Sequence, residues 1–233
     1  MDQLLVALDV ENAIEAIEMS ARLQGRVGGL KVGSQLFTAE GPPLVRRLVD
    51  QGHRIFLDLK FHDIPNQVAG SVKSATKLGV WMLTVHASGG FEMLKAAKGA
   101  AMEAASAQNR PAPLIVAVTV LTSLNETALL EIGVNRSMER QVEEMAVLAE
   151  RAGLDGVVAS PHELKILRQR FPSMTIVTPG IRATTSPADD QSRTLSAREA
   201  IAAGATYLVV GRPIIAAADP RQAAEELVRE SKK

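Results

Sequence analysis

The sequence contains no cysteine. This absence excludes disulfide bonds, thiolate nucleophiles and metal sites built on thiolates. Neither sign of charge is in excess, since Lys and Arg together number 26 and Asp and Glu together number 26. The balance argues against a nucleic acid or an anionic membrane surface as the main partner. It leaves room for a local basic pocket that binds a small anion.

Long apolar segments are also missing, because no run approaches the ~20 residues needed to span a bilayer. The amino-terminal stretch MDQLLVALDV has an acid at position 2 and no basic region, which is untypical of a signal peptide. Together with the lack of cysteine, this mildly favours a cytoplasmic protein. With 233 residues, 46% of them hydrophobic, we expect one domain over 1–233 with a large core.

Short apolar runs recur along the chain, each bounded by polar residues or glycine. Most are continuous and β-branched, as in strands of a parallel sheet that are buried on both faces. There are eight such runs: Leu4–Leu8, Gly29–Gly33, Arg54–Leu59, Trp81–His86, Leu114–Leu121, Gly156–Ser160, Thr175–Gly180 and Tyr207–Gly211.

Segments with helical periodicity lie between these runs. Asp219 followed by Pro220 is a typical helix start, and we expect a short extra helix around Glu126–Glu131 after the fifth strand. Eight strand–helix repeats predict an α/β fold, a single (β/α)8 TIM barrel. The alternative is an open doubly wound sheet. That fold would favour a G-x-G-x-x-G turn after the first strand, where this chain has Asp9-Val10-Glu11.

Charged residues follow or interrupt the predicted strands, and barrel enzymes carry their catalytic groups at the carboxyl ends of strands. Lys31 lies inside an apolar run, where an unpaired ammonium would be costly. Asp58 and Lys60 are two apart and would project to the same side of an extended strand. We therefore expect Lys31, Asp58 and Lys60 to form an array of alternating charge in the barrel mouth. The alternative is an ion network with a purely structural role.

The last two strand exits indicate a phosphate site, because barrels often bind phosphate with the loops after strands seven and eight. Glycines let backbone N–H groups approach an anion, and an arginine can bind phosphate in a bidentate fork. The residues concerned are Gly180, Arg182, Gln191, Gly211 and Arg212.

The chain resembles the orotidine 5′-monophosphate decarboxylase family, of the bacterial type, along essentially its whole length. The motifs that carry the resemblance occur in the family's order. They are ALD (Ala7–Asp9), LKVG (Leu30–Gly33), DLKFHDIPN (Asp58–Asn66), VHA (Val85–Ala87), VLTS (Val120–Ser123), TPGIR (Thr178–Arg182), DDQ (Asp189–Gln191) and VVGRPI (Val209–Ile214). One departure is Gln67, where the family commonly has a threonine on the ribose side of the site.

The resemblance implies a decarboxylase that removes CO2 from orotidine monophosphate (OMP) and leaves uridine monophosphate (UMP), with no metal and no organic cofactor. It implies that Lys60 is the proton donor and that Asp58 and Lys31 flank it. It also implies a homodimer in which Asp63 reaches into the neighbouring subunit's site. Asp63 falls past the strand end, so it cannot easily point at the same spot as Asp58 within one chain.

The resemblance also implies the contacts of the substrate. Asp9 and Lys31 would hold ribose hydroxyls, and Thr122 and Pro179 would lie near the pyrimidine. The phosphate would be held by four residues, Arg182, Gln191, Gly211 and Arg212. The composition of the segment Ile181–Thr194, which is polar, holds one proline and carries Gln191, separately indicates a mobile lid.

Two other functions remain open at this point. The first is a metal-dependent sugar-phosphate lyase or decarboxylase of the same barrel superfamily, which shares the D-x-K-x-x-D pattern. The second is a non-catalytic barrel that binds a nucleotide. The four histidines are scattered in the sequence, and His86 at a strand exit suits a packed, hydrogen-bonded histidine better than a metal ligand.

Overall fold

The structure is a computed structural model that describes residues 2–182 and 195–231, with the side chain of Arg182 excepted. Eight of the strands overlap the eight apolar runs, and two short strands follow the seventh run. In chain order the strands are β1 (Leu4–Ala7), β2 (Gly29–Gly33), β3 (Ile55–Phe61), β4 (Met82–His86), β5 (Leu114–Val118), β6 (Gly156–Val158), β7 (Thr175–Thr178), β8 (Ile181–Arg182), β9 (Leu195–Ser196) and β10 (Tyr207–Val210).

Helices follow the strands on the outside of the sheet. In chain order they are α1 (Ala13–Leu23), α2 (Ser34–Asp50), α3 (Pro65–Thr76), α4 (Gly90–Ser106), α5 (Glu126–Glu131), α6 (Met138–Arg151), α7 (Leu164–Arg170), α8 (Ala197–Ala202), α9 (Arg212–Ile215) and α10 (Pro220–Glu230). Short 3-10 turns cover Ala87–Gly89 and Pro161–Glu163.

Local sequence signals account for several helix boundaries. The Asp219 side chain accepts hydrogen bonds from the N–H groups of Arg221 and Gln222, and Pro220 takes the first helical position. The expected short helix Glu126–Glu131 is present with Asn125 as its cap. Helix α2 is kinked at Gly41, whose φ is 64°, because Pro42 and Pro43 follow and cannot supply helical N–H donors.

Eight strands close into one parallel barrel in the order β1-β10-β7-β6-β5-β4-β3-β2. Closure is seen at Val6, which is in register with Val210 on one side and with Leu30 on the other. The predicted (β/α)8 fold is confirmed, and the open doubly wound sheet is wrong for this chain. The remaining strands, β8 and β9, pair with each other and flank the residues that are not described.

Two layers of apolar side chains explain why the strands are apolar on both faces. The larger layer lies between the sheet and the helices. The smaller fills the barrel and consists of Leu5, Ala7, Phe56, Met82, Val116, Val177 and Val209.

The amino-terminal end of the barrel is closed by an aromatic cluster. The Trp81 and Tyr207 rings pack edge to face with centroids 5.1 Å apart. The Arg54 guanidinium carbon lies 3.9 Å from the Trp81 ring centroid, as in a cation–π contact. The charged residues Lys31, Asp58 and Lys60 lie at the opposite, carboxyl-terminal end of the barrel. Among the residues that the structure describes, no helix is long and apolar enough to cross a bilayer.

Candidate active site

A cavity of about 560 Å³ opens at the carboxyl-terminal end of the barrel. Its volume is within the range of about 300–1,000 Å³ that is usual for small-molecule sites. Inward-facing apolar residues, among them Phe56 and Val209, form the floor. Eight of the predicted site residues line the cavity: Asp9, Lys31, Asp58, Lys60, Thr122, Pro179, Gly211 and Arg212.

Four of the lining residues form a row of alternating charge. The Lys60 ammonium lies 2.8 Å from Oδ2 of Asp58, and the Lys31 ammonium lies 3.9 Å from the same oxygen. Lys31 also lies 3.2 Å from Oδ1 of Asp9, so the row runs Asp9, Lys31, Asp58, Lys60. The side chains of Lys31 and Asp58 are each only 12% exposed, so solvent screens their interaction weakly.

Strand register explains how residues far apart in sequence meet here. Lys31 on β2 is paired with Ala7 on β1 and with Phe56 on β3, and all three point into the barrel. Asp58 is two residues beyond Phe56 and therefore points the same way. The expected cluster of Lys31, Asp58 and Lys60 is thus present in the barrel mouth.

The backbone at Lys60 differs from the regular extended strand that the sequence predicts. Its φ is +52°, in the left-handed region that a non-glycine residue seldom adopts. The register between β3 and β4 shifts between Leu57, paired with Leu83, and Phe61, paired with Val85. The strand is not regularly extended at Lys60, because three residues of β3 lie opposite the single residue Thr84 of β4.

Thr84 is a site residue that sequence reasoning missed. Its hydroxyl donates to Oδ1 of Asp58 at 2.9 Å and accepts from the backbone N–H of Lys60 at 2.8 Å. Thr84 is fully buried. A polar residue inside the apolar run Trp81–His86 was the available signal, although threonine is also common in ordinary strands.

Asp63 lies apart from the charged row in the described chain. It is exposed and does not line the cavity, and its Oδ1 accepts from the backbone N–H of Ile64 at 2.6 Å. The adjacent Ile64 is 64% exposed, which is high for a large apolar residue. Asp63 therefore lies outside the cavity of its own chain.

The loops after β7 and β10 form the other side of the cavity. Gly180 has a φ of +80°, which favours glycine there. A Cβ at Gly211 would lie 3.2 Å from Oδ2 of Asp9, so a side chain would crowd that carboxylate. Gln191 lies outside the described residues, as do the side chain of Arg182 and most of the expected lid Ile181–Thr194.

The structure brings two histidines together beside the charged row. The rings of His62 and His86 have centroids 5.4 Å apart. Burial lowers the pKa of His86, and the nearby His62 and Lys60 lower it further, while Asp58 acts in the opposite direction. Within residues 2–182 and 195–231, no group of three or more His, Asp or Glu side chains is arranged to hold a metal ion.

Comparisons with known proteins show the family of this chain. Residues 2–227 match the family model described as "Orotidine 5'-phosphate decarboxylase / HUMPS family". The orotidine 5′-phosphate decarboxylase of Moorella thermoacetica is 51% identical over 231 residues, which are 98% of this chain and 92% of that protein. A second, from Syntrophotalea carbinolica, is 49% identical over 98% of this chain and 94% of that protein.

The same family is found among solved structures. The crystal structure of orotidine 5′-phosphate decarboxylase from Lactobacillus acidophilus superposes with a TM-score of 0.88 at 37% identity, over 99% of each chain. Fold, cavity and sequence likeness thus point to one group of proteins. The chain belongs to the orotidine 5′-phosphate decarboxylase / HUMPS family.

Proposed function

We propose that this protein decarboxylates OMP to UMP and CO2 in de novo pyrimidine biosynthesis, without a cofactor. The observation that carries the proposal is the pair formed by the Lys60 ammonium and Asp58, 2.8 Å apart in the mouth of a cavity of nucleotide size. The relatives in Moorella and Lactobacillus are named for this activity, which supports the same reaction here.

The reaction needs a group that stabilises charge at one carbon. When the bond between C6 and the carboxylate breaks, CO2 leaves and its electron pair stays on C6, in the plane of the pyrimidine. The π-system cannot absorb a pair in that plane, and many decarboxylases use a cofactor as the electron sink. In our proposal the Lys60 ammonium stabilises the developing carbanion and then donates a proton to C6. The neutral amine is reprotonated from water.

Asp58 contributes a second effect, because it would repel the substrate carboxylate. At ~4 Å and an effective dielectric constant of ~20, the repulsion is about 4 kcal/mol. If it is fully relieved in the transition state, it accounts for about three powers of ten in rate. Cofactor-free decarboxylation needs more than this, so we assign the larger share to the cation of Lys60 and its fixed neighbours.

The nucleotide would lie across the cavity. The apolar floor suits a pyrimidine, with Thr122 and Pro179 beside it, while Asp9 and Lys31 would bind ribose hydroxyls. Gly211 and Arg212 would bind the phosphate at the far side, together with Arg182 and Gln191. Phosphate binding would lower the barrier by driving closure of the lid Ile181–Thr194 over the charged row.

We also propose that the active unit is a homodimer. Asp63 lies outside the cavity of its own chain and is exposed beside Ile64, so it is free to enter the site of a second subunit. There it would complete a set of two lysines and two aspartates around the reacting carbon. This arrangement would hold the Lys60 ammonium in place from both sides.

The test must separate OMP decarboxylation from the first alternative, a metal-dependent sugar-phosphate lyase or decarboxylase of the same barrel superfamily. The experiment is an absorbance assay for loss of OMP, run with and without EDTA. We expect turnover that EDTA leaves unchanged. Turnover that EDTA abolishes would favour a metal-dependent enzyme. Binding of UMP without turnover of OMP would favour a non-catalytic nucleotide-binding barrel.

A further inference from the structure

Thr84 is a polar residue with apolar neighbours on both sides along its strand. It lies in β4 between Leu83 and Val85, which are both fully buried, and it is itself 0% exposed. A buried hydroxyl is costly unless it is hydrogen-bonded. Its hydrogen-bond partners therefore show what the residue does.

Both partners of the Thr84 hydroxyl belong to the charged row. The single hydroxyl proton is donated to Oδ1 of Asp58 at 2.9 Å. A lone pair accepts the backbone N–H of Lys60 at 2.8 Å. Oδ2 of Asp58 remains for the two lysines, 2.8 Å from Lys60 and 3.9 Å from Lys31. One hydroxyl thus orients the carboxylate and holds the lysine backbone.

The bond to Lys60 has a second consequence, because this lysine has a φ of +52°. A left-handed non-glycine residue is unfavourable and persists only where its surroundings hold it. The register shift between Leu57 and Phe61 removes the regular ladder at Lys60. The Thr84 oxygen takes the place of the missing carbonyl acceptor and so stabilises the unusual conformation.

We propose that Thr84 is a positioning residue that sets the relative placement of the Lys60 ammonium and the Asp58 carboxylate. This inference rests on the proposed function of Lys60 as the proton donor. Thr84 itself does not line the cavity, so it acts only through its two partners. Threonine suits the position because its β-branched side chain has restricted rotamers in a strand.

The direct test compares variants that differ by one hydroxyl. Thr84→Val keeps the shape of threonine and removes the donor and the acceptor. Thr84→Ser and Thr84→Ala lack the methyl group and differ from each other only in the hydroxyl. We expect kcat for OMP to fall by about 10- to 100-fold in Thr84→Val and Thr84→Ala, with KM within about threefold of wild type. Thr84→Ser should keep kcat within about threefold.

Thr76→Val is the matched control. Thr76 is also buried, but its hydroxyl donates to the Val72 carbonyl of its own helix at 2.8 Å. The Thr76→Val variant should have a lower free energy of unfolding and unchanged kcat and KM. Urea unfolding of every variant separates loss of folded protein from loss of turnover. If Thr84→Val is too unstable to assay, the Ser and Ala pair carries the comparison. Equal kcat values in that pair, or a Thr84→Val enzyme within about threefold of wild type, would overturn the proposal.

A failure of the proposed function would be visible separately, as a wild-type protein that does not turn over OMP. Crystal structures of wild type and Thr84→Val then test the positioning role without any assay. We expect the Lys60 φ to leave the left-handed region, or the distance from Lys60 Nζ to Asp58 Oδ2 to exceed about 4 Å in the variant. An unchanged charged row would contradict the role of Thr84.

Discussion

Lys60 and Asp58 are bound to each other at 2.8 Å although the backbone between them does not follow a regular strand. The left-handed conformation at Lys60 lies within the register shift between β3 and β4. Thr84 binds both residues from the neighbouring strand. The pair is therefore held by tertiary contacts, and each of its members can be tested separately.

Lys60→Ala should lower kcat for OMP by at least about 10²- to 10⁴-fold, the usual contribution of a general acid. Binding of UMP should change far less, because the role proposed for Lys60 is at the reacting carbon. Turnover assays and calorimetric titration with UMP measure the two effects. Lys73→Ala is the control, since Lys73 pairs with Glu103 at 3.3 Å on the surface. Similar losses in turnover and in affinity would contradict the assigned role.

Arg212→Ala should strongly lower kcat/KM for OMP and barely change the slow turnover of the nucleoside, which has no phosphate. In the proposed mechanism, phosphate binding supplies the free energy for closure of the loop over the charged row. Arg140→Ala is a control, since this exposed arginine pairs with Glu143 and Glu144 of its own helix. An equal loss on nucleotide and nucleoside would exclude the lid from this role.

A mixture of two inactive variants should recover activity if Asp63 enters the partner's site. In a mixed dimer of Lys60→Ala and Asp63→Asn, one site carries both substitutions and the other carries neither. Random exchange makes half of the dimers mixed, so about a quarter of wild-type activity should return. Each variant alone is the control. No recovery after verified exchange, or a fully active monomer at high dilution, would refute the shared site.

Arg168→Met should destabilise the barrel by about 3 kcal/mol, because charged hydrogen bonds are lost and carbonyls are left unpaired. Its guanidinium donates to the carbonyls of Gly204, Pro172 and Met174 in the loops that precede β7 and β10. Urea unfolding followed by Trp81 fluorescence measures the change, since this is the only tryptophan. These loops lie at the amino-terminal end, so kcat at low temperature should stay unchanged. Arg140→Met should cost under about 1 kcal/mol.

His86 should make the protein less stable in mild acid. Burial, His62 and Lys60 lower its pKa, so the folded state binds the proton more weakly than the unfolded chain. The unfolded state then takes up a proton as pH falls through about 6.5, and the free energy of unfolding decreases. His86→Gln should reduce this decrease, although His53, whose pKa burial also lowers, should keep part of it. Urea midpoints between pH 5 and 8 test this, and equal pH dependence in both proteins would contradict it.

Much of the fold could be predicted because its signals are local. Apolar runs buried on both faces indicate parallel strands, and eight of them separated by helices indicate the barrel. The cap at Asp219 and the short helix after Asn125 were readable for the same reason. Strand ends were less accurate, as in the run Leu114–Leu121, where β5 stops at Val118, because apolar residues continue into the cavity wall.

The sequence by itself determined which charged residues reach the barrel mouth, since a strand's period of two and its position in chain order decide where a side chain points. Three features follow from the tertiary structure alone. They are the left-handed backbone conformation of Lys60, the hydrogen bonds of Thr84 and the contact of His62 with His86. These features depend on the register between β3 and β4, on the loop that follows β3 and on the side-chain hydrogen bonds there. A register shift is a property of two strands together, and neither strand's sequence encodes it alone.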